Sequence, residues 1–162
     1  MPYWQLFYHF IWTTKNRLPL LDEKTEPVIY GFLRSKAIGL GAVVFAIGGI
    51  YDHVHMVVSV PPRISIATFI GQVKGVASAK YNQGNFSEER FEWQKDYGVF
   101  SFDGKRLPYV VAYVNRQKEH HAQKTIIPVL ERTASGDVKI LRERSATYLT
   151  DYEDWLELMR NE

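Results

Sequence analysis

The order of apolar periodicities along the 162 residues predicts an α+β fold. Aromatic and β-branched runs occur near the start, at 42–60 and before residue 103. Stretches with apolar residues three and four apart lie between and after them. Glycine and proline mark the joins. The resulting order is strand, helix, strand, strand, helix, strand. That is a ferredoxin-like βαββαβ antiparallel sheet with helices on one face, here followed by an added C-terminal helix.

Each element has its own signal. Residues 3–14 (YWQLFYHFIWTT) are strand-like in composition. Asp22 is placed to cap a helix over 23–39, with Pro27 in its first turn and Val28, Phe32, Leu33, Ala37 and Leu40 at helical spacing. Gly39 and Gly41 close that helix. Residues 42–50 and 53–60 read as two strands joined by the short Tyr51-Asp52 link, and Pro61-Pro62 stops the second. Over 64–83, Ile66, Phe69, Ile70, Val73, Val76 and Ala77 form a buried stripe. Residues 91–102 contain a fourth strand or hairpin, with Gly98 as a bulge or turn, and 105–122 read as a third helix, begun or kinked at Pro108. Beyond residue 124 the pattern weakens; 138–144 suits a short strand and 151–160 a helix. The expected division is a domain over 1–130 and a tail over 131–162, packed on the domain or on a partner.

Composition limits the function classes. Hydrophobic residues make up 46% of the chain, enough for a packed core. The absence of cysteine excludes disulfides and thiolate metal sites. The start of the chain has no signal-peptide pattern and no apolar run is long enough to span a membrane, so the expectation is a cytoplasmic protein without a membrane role. Net charge is +2, but it divides unevenly: 129–162 carry five basic and eight acidic residues, which leaves +5 on 1–128. A basic body suits a polyanionic partner. No P-loop, dinucleotide fingerprint or serine-hydrolase elbow is present.

The strongest local motif is His53-Val54-His55. On a strand, residues i and i+2 face one side, so two imidazoles can converge on a metal ion while Val54 enters the core. The five histidines predict roughly 0.15 such pairs by chance, so placement on an interior-type strand carries more weight than the pair itself. Further ligand candidates are Asp52, Gln117, His120 and His121; strand alternation turns Asp52 away from the two histidines. Gln117 would supply an amide oxygen, which suits Mg²⁺ or Mn²⁺. Tyr113 stands four residues before Gln117, on the same helical face, with Tyr109 as the rival phenol one turn earlier. About 0.4 Tyr–Gln pairs at this spacing are expected by chance. Lys15, Arg17, Lys74, Lys80, Arg116 and Lys118 are the candidate phosphate contacts, each also readable as an ordinary solvated charge.

Four segments together carry a family resemblance. They are His9–Arg17 (HFIWTTKNR), Asp52–Val58 (DHVHMVV), Gln72 through Ser78, and Tyr113–Gln117 (YVNRQ) followed by His120-His121. In this order and spacing, over about 3–130, the chain resembles the single-tyrosine transposases of bacterial insertion sequences, the TnpA type, and their REP-associated relatives. These are HUH endonucleases, named for the His-hydrophobic-His motif. The resemblance implies His53, His55 and Gln117 as ligands of a divalent Mg²⁺ or Mn²⁺ ion, and Tyr113 as a nucleophile. It also implies cleavage and rejoining of single-stranded DNA with hairpin ends through a 5′-phosphotyrosine, by a homodimer. The alternatives are a domesticated or non-catalytic hairpin-binding protein of the same fold, and a phosphodiesterase that uses water.

Overall fold

A computed structural model describes residues 2–133. In chain order the elements are β1 (Phe7–Thr13), a 3₁₀ turn (Lys15–Arg17), α1 (Thr25–Gly39), β2 (Val43–Ile50), β3 (His53–Ser59) and α2 (Ile66–Gln83). There follow β4 (Gly98–Phe102), α3 (Leu107–Asn115), α4 (Gln117–Gln123) and a second 3₁₀ turn (Pro128–Glu131). The four strands form one sheet in the order β2-β3-β1-β4, with every neighbouring pair antiparallel. This is the expected ferredoxin-like topology. No helix among the described residues is long and apolar enough to cross a membrane.

Strand alternation divides the sheet into two faces. Phe10 and Trp12 of β1, with Val54, Met56 and Val58 of β3, are buried in one core with Ile29 and Leu33 of α1 and Phe69, Ile70 and Val73 of α2. Local sequence fixes both helix starts. The Asp22 carboxylate accepts from the amides of Lys24 (3.1 Å) and Thr25 (2.7 Å), and the Ser65 hydroxyl accepts from the Thr68 amide (3.1 Å). After α1 the chain turns through Gly41 at φ +88°, a conformation that glycine adopts without a Cβ clash.

The opposite face carries α3. Its Val110, Tyr113 and Val114 pack with Val57 of β3 and Ala46 of β2. A close approach makes this possible: a Cβ on Gly48 would overlap the carbonyl oxygen of Val114. In the strand register Gly48 pairs with His55, so the helix settles beside the histidines.

One expected element is narrowed and one is corrected. Residues 91–102 contribute strand only at Gly98–Phe102, plus an isolated bridge between Thr14 and Trp93. Side chains of α2 satisfy the preceding backbone instead. The Asn82 amide both donates to and accepts from Phe91, each at 2.8 Å. Lys74 donates to the carbonyls of Gln94, Lys95 and Asp96 at 2.6, 3.4 and 3.2 Å. The single helix expected over 105–122 is two helices, divided at Arg116 (φ −106°, ψ 23°). The strand at 138–144 and the helix at 151–160 lie outside the described residues. The expected division at 130/131 falls within the second 3₁₀ turn, where Leu130 is buried.

Candidate active site

His53 and His55 stand on the α3 face of β3, and both are buried, at 2% and 0% exposure. Each has one ring nitrogen tied to the protein. His53 Nδ1 donates to Asp52 Oδ1 at 2.8 Å. His55 Nδ1 shares a hydrogen bond with His9 Nε2 of β1 at 2.7 Å. Both Nε2 atoms face α3. Holding the far nitrogen of an imidazole in this way sets the tautomer and aims the near one. Burial lowers the pKa of His55, and the charges of His53 and His121 lower it further against the opposing pull of Glu131. Burial likewise lowers His9, with His55 adding to the effect. Burial works to raise Asp52, but its hydrogen bond and charge pairing with His53, and then Arg17, outweigh it and hold the carboxyl low.

Tyr113 is the phenol that reaches this face. It is fully buried and its ring lies 5.9 Å from that of His55, edge to face. Tyr109 is 47% exposed. Gln117, at the start of α4, places Oε1 3.4 Å from His53 Nε2. His121 lies over His53 with ring centroids 4.8 Å apart, while His120 bonds to Thr125 at 2.9 Å.

Sequence reasoning missed Glu131. Its Oε2 lies 3.2 Å from His55 Nε2 and 3.5 Å from His53 Nε2. Its Oε1 accepts from the Tyr113 hydroxyl at 2.5 Å. The carboxyl is held well below the usual range: burial opposes ionisation, but the bonds and charges of His55, Tyr113 and His53 favour it more. Burial raises the Tyr113 phenol well above its ordinary value, and the Glu131 charge adds to this. Sequence gave no spacing that could tie residue 131 to β3, because its reach depends on two turns of chain after α4.

The arrangement fits a metal ion. With Nδ1–H donating to Asp52, neutral His53 offers a lone pair at Nε2. That lone pair faces two further acceptors, Gln117 Oε1 and Glu131 Oε2. His55 Nε2 is buried and lacks a hydrogen bond of good geometry. Acceptors that converge without a donor repel one another unless a cation sits among them. The ligand atoms offered by His53, His55 and Glu131 lie within 4.8 Å of one another. Ligands at about 2.1 Å from a small divalent ion stand about 3.0–3.4 Å apart, close to the 3.2 and 3.5 Å of Glu131 from the two histidines and the 3.4 Å of Gln117 from His53. Two imidazoles with oxygen donors suit a first-row divalent cation.

The six candidate phosphate contacts are dispersed. Lys15 pairs with Glu92 at 3.0 Å, and Lys118 with Glu26 at 2.7 Å. Lys80 lies over the Phe32 ring at 5.9 Å. Lys74 is buried, and the three carbonyls it serves match the three donors of an ammonium. Arg17 reaches the site indirectly, 3.5 Å from Asp52 Oδ2. Arg116 stands at the break between α3 and α4.

Comparison with known proteins gives this site a family. The model of the IS200-like transposases matches residues 2–117. The transposase of insertion element IS200 from Salmonella typhimurium is 25% identical over 123 residues, covering 72% of this chain and 79% of the relative. The ISDra2 transposase TnpA of Deinococcus radiodurans is 31% identical over 77 residues, 48% of this chain and 55% of that one. Two solved structures share the fold, each with a TM-score of 0.57. One is a protein of Deinococcus radiodurans described as a transposase, 22% identical, covering 72% of this chain and 95% of its own. The other is a REP-associated tyrosine transposase bound to a REP hairpin, 12% identical, covering 75% and 74%. The chain belongs to the IS200-like transposase family.

Proposed function

We propose that this transposase cuts a single DNA strand, holds the new 5′ end on Tyr113 as a phosphotyrosine, and rejoins it to another 3′-OH. The observation that supports this reading is one contact set: Glu131 touches both the Tyr113 hydroxyl and the metal-facing nitrogens of His53 and His55. This contact set supports the reading because it joins the candidate nucleophile to the candidate cation site. In the proposed site His53, His55 and Gln117, joined by Glu131, would hold Mg²⁺ or Mn²⁺, and the ion would supply charge to offset the negative charge building on the phosphate oxygens.

The chain supplies the remaining parts. Asp52 and His9 keep the imidazoles aimed at the site. The Tyr113 oxygen loses its proton as it bonds to phosphorus, the bond from phosphorus to the 3′ oxygen breaks, and that oxygen takes up a proton and leaves as a 3′-OH, so the proton count is unchanged. The phosphodiester character is kept in the protein link, so a second 3′-OH can reverse the step without ATP. His121, a quarter exposed beside His53, marks the side open to solvent. The neighbour solved with a REP hairpin supports a hairpin-bearing single strand as substrate. Lys15, Arg17, Lys80, Arg116 and Lys118 are the proposed backbone contacts, with Lys74 holding the 94–96 segment. A homodimer is proposed from the family resemblance, and light scattering tests it.

The experiment is cleavage of a labelled single strand with and without divalent ion. Wild type forms a covalent adduct that requires the ion, and Tyr113→Phe forms none. An undiminished adduct from Tyr113→Phe overturns the nucleophile, and unchanged ion dependence in His53→Ala overturns the metal role. Cleavage without any adduct supports the water-using phosphodiesterase. Binding without cleavage supports a domesticated, hairpin-binding descendant.

A further inference from the structure

We propose that residues 125–133 form a strap that belongs to the active site and positions the Tyr113 oxygen. The inference rests on the reading of Tyr113 as nucleophile. It assigns a role to a segment beyond the family match, which ends at residue 117.

The first observation is the phenol itself. Its oxygen accepts from the Ile127 amide at 3.0 Å and donates to Glu131 at 2.5 Å. Both groups lie on the strap. Together they fix the direction of the O–H bond. A tyrosine held only by ring packing would leave its hydroxyl free to turn about the C–O bond.

The second observation is that the strap is seated by features placed elsewhere in the sequence. Lys124 adopts a left-handed conformation (φ 57°, ψ 37°), which ends α4 and reverses the chain. Thr125 then binds back to α4: its amide donates to the His120 carbonyl at 2.8 Å, and its hydroxyl pairs with His120 Nδ1 at 2.9 Å. Ile127 and Leu130 are buried, at 5% and 6% exposure, in the cluster with Val110, Tyr113 and Val114. At the far end, a Cβ on Gly98 would overlap the Arg132 carbonyl oxygen and stand 2.9 Å from Ile11 Cγ2. Gly98 on edge strand β4 therefore leaves the room through which the strap passes.

A segment that merely covered α3 would need only the two apolar residues. Glu131 lies between them and the histidines with its side chain 15% exposed. A carboxylate buried to that degree is costly unless it is bonded, and its closest bond is to Tyr113. The strap therefore joins the apolar seat to the hydroxyl of the nucleophile.

The test uses the full chain at saturating Mn²⁺, with Glu131→Ala, Glu131→Gln and Gly98→Val. Gly98→Val displaces the strap from the far side and changes neither Glu131 nor Tyr113. Three quantities are read: the rate of adduct formation at saturating DNA, the DNA Kd, and trypsin cutting after Lys124 and Arg132. Loss of orientation at a reacting centre costs roughly 10–100-fold in rate. That loss is expected for Glu131→Ala and Gly98→Val, and in Gly98→Val, which alters none of the proposed ligands, the DNA Kd is unchanged. Glu131→Gln keeps an acceptor oxygen and recovers most of the rate. Trypsin cuts the strap faster in Gly98→Val. If melting shows that Gly98→Val is unfolded, the Glu131→Ala and Glu131→Gln pair decides. Adducts formed at the wild-type rate or faster by Glu131→Ala and by folded Gly98→Val overturn the proposal; a faster rate marks a cover that must leave. An adduct that persists in Tyr113→Phe is the separate failure of the nucleophile assignment.

Discussion

Replacing Asp52 by alanine should weaken divalent-ion binding without unfolding the chain. Asp52 Oδ1 accepts from His53 Nδ1 at 2.8 Å, and Oδ2 lies 3.5 Å from Arg17. The alanine variant loses both contacts. Its backbone carbonyl still accepts from the Thr14 amide at 2.9 Å, so the link between β2 and β3 stays attached to the end of β1. Without the carboxylate, His53 can carry its proton on Nε2, the nitrogen that must offer a lone pair. Loss of such an outer partner typically costs about 10–100-fold in metal affinity, or about 1.4–2.7 kcal/mol. Asp52→Asn keeps an acceptor at nearly the same place, so its loss should stay under about threefold, as expected when geometry matters more than charge. Titration of Mn²⁺ followed by electron paramagnetic resonance of the free ion measures each Kd, and melting curves check the fold. Wild-type affinity in a folded Asp52→Ala protein would refute the assignment of His53 as a ligand aimed by Asp52.

Two further outcomes test the surrounding frame. Burial pushes the Lys74 ammonium down to about 8 from its ordinary 10.5, so the unfolded chain holds more protons between these values. The cost of keeping Lys74 charged is thus greatest at neutral pH and fades as pH rises through that window. Relative to Lys74→Met, wild type should gain about 1 kcal/mol between about pH 7.5 and 9.5 after allowance for partial screening. Paired urea melts at the two pH values measure this, and a wild-type stability that falls relative to Lys74→Met as pH rises contradicts it. Lys118→Ala removes an ion pair with Glu26 in which the lysine side chain is 67% exposed. Stability should change by less than about 1 kcal/mol, while the salt dependence of single-strand binding should fall by about 0.7 in log–log slope. An unchanged slope removes Lys118 from the phosphate contacts.

Legibility followed the range over which a pattern acts. The β3 alternation is local, so one segment of sequence shows that Val54 enters the core while His53 and His55 face away. The caps at Asp22 and Ser65 are similarly local. His9 carried a weaker signal. Alternation along β1 puts His9 on the face opposite Phe10 and Trp12, but its partnership with His55 appears only when Ile11 is paired with His55 across the sheet. Parity makes Asp52 the poorer ligand candidate, yet from the connection before β3 it reaches the far nitrogen of His53. The break at Arg116 has neither glycine nor proline to announce it. Glu131 was illegible for a different reason. Its place depends on the reversal at Lys124, the apolar seat of Ile127 and Leu130, and the gap at Gly98, three features with no common periodicity.

The sheet also explains why its histidines can be held rigidly while the phenol stands on a helix. β3 is an interior strand, paired on one side with β1 and on the other with β2. A slip of one residue in either register would carry Val54, Met56 and Val58 out of the core and His53 and His55 into it. The apolar face therefore fixes the position of the imidazoles by opposing every such slip. Tyr113 has no ladder of this kind. Its helix is nine residues long, ends at a break, and approaches the sheet through the missing side chain of Gly48. A short helix with one apolar stripe can shift by small amounts at modest cost. Precision at the phenol oxygen therefore needs bonds to that oxygen, and within the described residues Ile127 and Glu131 supply them.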